Sequence, residues 1–277
     1  LKRIAALTSV RHGERFLNRW ISYYGHELGY QNLFIILDGV DQEGPDPDLG
    51  LNLHWFDHVP MSRVAGDKFR ANRASVLAHE LMKTYDLVIG TDVDEFLVLD
   101  PHRSEGLLQY ISQRPITGNL SGMGIDVARH RLREHDLDWS KPFLDQRQYG
   151  VISDRYTKAS ILSEPHFWGS GFHRVKGQPF EIDPYLYLLH FGSVDDLETN
   201  ARSADQERVK SGWSGHQLRR NAVSDLVSTC EPNDGDKAFD NARHLLSRRR
   251  SLISWNKPRQ LKPHQVIKIP ARFRGLV

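Results

Sequence analysis

The strongest constraint in this chain is a rhythm. Four short apolar runs, IAALTSV at 4–10, LFIIL at 33–37, LNLHWF at 51–56 and YDLVI at 85–89, are spaced by stretches long enough for a helix or a loop. Runs this short and this apolar suit strands buried on both faces, and strands that alternate with helices pair in parallel. Residues 14–28 set Phe16, Leu17, Trp20, Ile21, Tyr24 and Leu28 on one helical face and then meet Gly29, a stop signal. Residues 66–83 predict a second helix, with Phe69, Val76, Leu77 and Leu81 inward and Lys68, Arg70 and Arg73 along it. Residues 41–50, rich in Asp, Pro and Gly, form a loop. This half reads as α/β.

The pattern is weaker further on. A helix at 105–112, a strand at 120–127, a polar insertion at 129–150, strands at 149–162 and 185–191, and helices at 194–210, 216–227 and 237–255 are expected. The 277 residues, 39% hydrophobic and 26% charged, suffice for a substantial core. A net charge of +2 is too small to mark a nucleic-acid binder. No apolar run approaches the ~20 residues that span a bilayer. A single cysteine, Cys230, excludes an internal disulfide framework and fits a reducing compartment, with the cytoplasm as the default. The first residue, Leu1 rather than Met, reads as an excised or processed chain, so a missing anchor stays open.

The run GTDVDEFLVLD, 90–100, crowds Asp92, Asp94 and Glu95 between two apolar segments. In open α/β sheets ligands bind at the carboxyl ends of strands, where Asp92 and Asp94 fall. Two aspartates at i and i+2 of extended backbone point the same way, so both can reach one hard cation whose shell diphosphate oxygens complete. The alternative is that Asp92 caps a turn and the other acids are solvated.

TDVDEFLVLD resembles the DxD segment of GT-A-fold glycosyltransferases, and its DxDEF form is similar to a family-two-like group related to the DUF-twenty-three-type transferases. SVRHGERFLNRWISYYGHELGY resembles that group's opening strand and helix, IILDG its nucleotide-contacting turn, and YTKASILSEP with Phe172-His173 and LLHFGSVDDLETN its later stretch. His12-Gly13 stands where the group has Asn-Glu, and Gly39 follows Asp38 where the group has Asn. The resemblance implies a GT-A-like mixed sheet flanked by helices over residues 1–210, with 1–100 the nucleotide-binding half and 101–210 the acceptor half, and a helical C-terminal extension with a basic tail over 211–277. It implies Mn²⁺ or Mg²⁺, a nucleotide-diphosphate sugar as donor, and inverting transfer to a hydroxyl of a glycan or lipid-linked acceptor.

On that reading Asp92 and Asp94 hold the metal and His190, ending an apolar run, is a third ligand or a hydrogen-bonded core residue. Asp38 contacts base or ribose, or simply turns the chain. Lys158, Arg70, Arg73 and Arg11 reach phosphate or face water. Asp126, after SGMGI, is the first choice of general base, with Glu164, Glu181 and Asp183 competing; Asp126 paired with Arg129 or Arg131 is the structural alternative. Trp139, Tyr149, Trp168, Phe172 and Trp213 offer faces for an acceptor sugar. Ten cations from Arg243 to Arg274, with no acid after Arg243, suggest peripheral contact with an anionic membrane. A nucleotidyltransferase, or a nucleotide-sugar or glycan-binding module without catalysis, remains the alternative.

Overall fold

The computed structural model describes residues 1–204, 210, 212–248 and 255–277. Strand β1 (Ile4–Val10) leads through helix α1 (Glu14–Leu28) to β2 (Leu33–Asp38), its parallel neighbour. β3 (Asn52–Phe56) adds outside β2, and helix α2 (Arg63–Leu81) then carries the chain back across to β4 (Leu87–Gly90), parallel to β1 on its other side. The order β3-β2-β1-β4 therefore reverses direction between β1 and β4. A crevice opens at such a reversal, outside the carboxyl ends of the strands, because the two connecting helices leave on opposite sides.

β5 (Glu95–Leu99), helix α3 (Leu107–Gln113), β6 (Asn119–Ala128), helix α4 (Phe143–Gln146), β7 (Tyr149–Ile152), β8 (Ala159–Leu162) and β9 (Glu181–Ser193) follow. β8 runs antiparallel to β4, β6 lies antiparallel to β7 and β8 and parallel to β9, and β9 pairs antiparallel with β5. The result is a large mixed sheet flanked by helices.

Helix α1 buries the face expected of it: Phe16, Leu17, Trp20, Ile21, Tyr24 and Leu28. Helix α2 does not. Its inward stripe is Ala71, Ala74, Ser75, Ala78 and Leu81, while Phe69 and Val76 are exposed on the other face. Small side chains let this helix pack closely, and Ser75 Oγ accepts from the backbone N–H of Trp168, in the segment between β8 and β9, at 2.9 Å. The strand expected over 149–162 is two strands, β7 and β8, joined by a turn that carries Lys158 to the start of β8.

The region after β9 supplies helices α5 (Asp196–Ala204), α6 (Ser214–Thr229) and α7 (Gly235–Ser247). It also returns to the sheet. β10 (Asn233–Asp234) pairs with β11 (Gln265–Lys268), which lies antiparallel to β7. Phe273 is buried in the main core, Arg272 grips Asp100 at 2.8 and 3.0 Å, and Arg243 donates to the Asp183 carbonyl at 2.6 Å. Arg243 and Arg272 of the basic tract thus serve the interior, whereas Lys257, Arg259, Lys262, Lys268 and Arg274 face solvent. Arg249 and Arg250 lie outside the described residues, as do parts of the helices expected at 194–210 and 237–255. Among the described residues no helix is long and apolar enough to cross a membrane.

Candidate active site

A cavity of about 270 Å³ occupies the crevice between the ends of β1 and β4. Its walls come from the turn after β1 (Arg11 to Gly13), the first turns of α2 (Arg63, Asp67, Arg70), the acid turn (Asp92 to Glu95), Arg155 and Tyr156, residues 170–173, His190, and Trp213 and Arg220 at the start of α6.

The acid turn is held from below by α1. Trp20 Nε1 donates to Thr91 Oγ1 at 2.9 Å, the Leu97 N–H donates to the Tyr24 hydroxyl at 2.8 Å, and Tyr23 O–H donates to the Leu97 carbonyl at 2.8 Å. Residues on both sides of the acids are thereby fixed to one helix. The acids themselves are in a turn, closed by the Glu95 N–H bonding the Asp92 carbonyl at 3.0 Å, and not in extended backbone. The extended backbone from which a shared cation was read is therefore replaced by a turn. Asp92, about half exposed, stands 3.4 Å from Lys158 Nζ; Asp94, buried, lies 3.1 Å from Arg220 Nη2 and 3.7 Å from His190 Nε2.

Register explains the second layer. His190 on β9 faces Glu95 on β5 and Asp126 on β6, so three ionisable side chains come together from strands distant in sequence. Cross-strand partners share a face of the sheet. His190 Nδ1 lies 2.7 Å from Asp126 Oδ1, and the imidazole stacks on Tyr156 at a centroid distance of 3.8 Å. A carboxylate can only accept, so Nδ1 carries the proton and Nε2 is turned toward Asp94. Asp126 bonds His190 instead of Arg129 or Arg131, which pair with Asp136, Asp196 and Asp225.

Lys158 is not on a solvated face. Its Nζ is buried, 2.7 Å from Glu95 Oε1 and 2.7 Å from the Gly171 carbonyl. Burial pushes the Glu95 carboxyl up, against the pull of Lys158. Burial works against the Lys158 ammonium as well, but the Glu95 and Asp92 carboxylates outweigh it and leave its pKa raised. The Lys158 ammonium therefore stays charged, and Glu95 joins it as an ion pair as pH rises through its raised value of about 7.

Arg11 and Arg70 reach the cavity, and both are already engaged. Arg11 makes two bonds to Asp41, at 2.8 and 3.1 Å, which hold the Asp41 carboxyl down at about 2, and Arg70 bonds Asp67 at 2.5 Å. Asp38 and Arg73 lie off this wall, 3.9 Å apart at the neighbouring strand end, with the Arg73 guanidinium between the rings of Phe56 and Phe69. Glu164 is not brought to the site. It follows β8 at the edge where β4 begins, exposed, 3.6 Å from His166. Asp183 is buried under Tyr110 and Arg114, and Glu181 faces Arg114 in solvent. Of the aromatic candidates, Phe172 and Trp213 line the cavity, and Trp168 is core. Arg63, Asp67, Arg155, Tyr156 and Arg220 went unread because no local pattern marks them; each is brought in by tertiary packing.

The donor set of the acid turn suits a hard or borderline cation: carboxylate oxygens and an imidazole nitrogen whose far side is fixed by Asp126. Among the described residues, no three His, Cys, Asp or Glu side chains gather closely enough to hold an ion alone. Any such ion would need oxygens from a bound ligand.

Fold and cavity together define an α/β protein with a cation-rich, acid-bearing crevice at the carboxyl-end reversal of its sheet. No protein-family model matches the chain, and no curated protein matches it in sequence. Among solved structures it is similar to a mannosyltransferase from Pyrobaculum calidifontis in complex with GDP-Man and Mn²⁺, at 10% identity and a TM-score of 0.38 over 83% of this chain and 76% of that one. It is also similar to a CMP:2-keto-3-deoxy-manno-octonic acid synthetase complexed with CTP, at 12% identity and a TM-score of 0.27 over 80% of this chain and 87% of that one. At such scores neither likeness fixes this chain's chemistry.

Proposed function

We propose that the chain is a metal-dependent glycosyltransferase that takes a sugar from a nucleotide-diphosphate donor to a hydroxyl of a glycan or lipid-linked acceptor. One observation carries the reading: the acid turn and five arginines, Arg11, Arg63, Arg70, Arg155 and Arg220, line one cavity at the reversal between β1 and β4. Asp92, Asp94 and His190 would hold Mn²⁺ or Mg²⁺ together with donor oxygens. Such an ion, when bound, offsets the charge that builds on the leaving diphosphate.

The chain's own groups do the rest. Arginines present planar forks that match phosphate oxygens, and in a partly dry crevice each is worth more than in water. Asp126 acts through His190, fixing its orientation. Lys158 neutralises Glu95 and steadies Asp92, so its role is to hold the acid turn and not to reach the donor. Asp38, with Arg73 beside it, stands one strand further along, where a base or ribose would extend.

A nucleotidyltransferase is the second reading, favoured by the Arg11–Gly13 turn, which places the N-terminus of α1 on the same cavity. A thermal-shift panel of nucleotide-diphosphate sugars and nucleoside triphosphates, with and without Mn²⁺, separates the two. A ligand at 100 times its dissociation constant adds about 2.7 kcal/mol to stability. The transferase reading expects Mn²⁺-dependent stabilisation by one diphosphate sugar, lost in Asp94→Ala. Stabilisation by a nucleoside triphosphate, with pyrophosphate released when a sugar phosphate is added, would favour the second reading; no stabilisation by any nucleotide overturns both.

A further inference from the structure

Asp94 has a resident counter-cation from an unexpected part of the chain. Arg220, on α6, places Nη2 3.1 Å from Asp94 Oδ2, with 15% of its side chain exposed. Among the described residues its buried Nε has no hydrogen-bond partner. The space it occupies is made by Gly192: a Cβ there would stand 2.9 Å from the guanidinium carbon and 2.7 Å from His190 Nε2. Asp94, His190 and Arg220 thus converge on one spot. A buried carboxylate needs a positive partner, and a guanidinium with an idle N–H has capacity left for an anion.

We propose that Arg220 guards Asp94 in the donor-free protein and transfers to the donor's diphosphate when a divalent cation takes the carboxylate. The proposal rests on the reading above. The exchange is balanced in charge: the ion replaces the guanidinium at Asp94, and the arriving diphosphate supplies the guanidinium with a new anionic partner. Arg220 is a competitor of the metal when no nucleotide is present, and an ally of the nucleotide once the metal is in.

Binding measurements on the intact chain test this without any turnover. Mn²⁺ alone is titrated into wild type, Arg220→Gln and Arg220→Lys, followed by UDP and GDP at saturating Mn²⁺. In Arg220→Gln, Mn²⁺ alone should bind about tenfold more tightly and the better diphosphate about tenfold more weakly, the size of one charge-assisted bond. Arg220→Lys keeps the charge but loses the fork, so Mn²⁺ affinity should stay near wild type while diphosphate affinity falls. A residue that merely supports the fold would not tighten metal binding. Unchanged or weaker Mn²⁺ binding in Arg220→Gln, or unchanged diphosphate binding in both variants, overturns the proposal. If wild type binds Mn²⁺ but neither diphosphate, the nucleotide-sugar reading falls, and the Mn²⁺ comparison still decides whether Arg220 guards Asp94.

Discussion

Lys158 and Glu95 are each 1% exposed, so neither can be removed alone without leaving the other's charge in the interior. Lys158→Met should destabilise the protein by about 3–5 kcal/mol, and adding Glu95→Gln should recover most of that loss. Urea unfolding of the single and double variants measures both. The pH dependence has a defined sign. The Glu95 carboxyl is raised from an ordinary value of 4.5, so the folded state keeps a proton that the unfolded chain gives up. Between 4.5 and the folded value of about 7, wild type and variant lose stability alike; without Lys158 the carboxyl holds its proton further, so the cost of Lys158→Met should be level below about pH 7 and rise above it. A cost that does not change with pH would mean that Glu95 gains another partner.

At the scale of elements, the glycines of β6 decide how the site is delivered. A Cβ on Gly124 would land on the backbone of Tyr156 and Thr157 and 2.6 Å from the Ser153 carbonyl. The turn that carries Tyr156 and Lys158 crosses β6 at this point, so Gly124→Ala should cost roughly 1–3 kcal/mol of stability by overpacking against backbone that has nowhere to move. It should also weaken nucleotide binding, read by the same thermal-shift panel; a variant with full stability would show that the turn yields. The first hundred residues were legible because local rules agree there: apolar period, stop glycine and loop composition all point to the same strands and helices. Helix α2 misled because large apolar residues signal burial more loudly than alanines, yet Ala71, Ala74 and Ala78 are what close packing required. The acid turn was readable as a run of carboxylates at the carboxyl end of β4. Its geometry was not, since it depends on β9 and α6, separated from it by about a hundred residues or more of sequence.

Taken whole, the molecule buries several tyrosines in protonated form. Burial raises Tyr23, Tyr24 and Tyr156, and Tyr110 and Tyr187 are pushed up to about 12 by burial together with the neighbouring Asp183 and Asp100. An unfolded tyrosine ionises near 10.0, so stability should be insensitive to these groups below that pH and fall as pH rises from there to 12. The urea midpoint followed against pH checks this, and Tyr187→Phe should flatten the slope; tyrosinate absorbance from these residues at pH 10 in folded protein would contradict it. The grip of Arg272 on Asp100 reaches across 172 positions, from beyond β11 to the residue just after the acid-bearing strand. During synthesis, β1 to β5 leave the ribosome long before that clasp is made. The nascent chain therefore carries β4 and β5 before their partners β8 and β9 exist, an interval in which chaperones and stray strands compete for the open sheet.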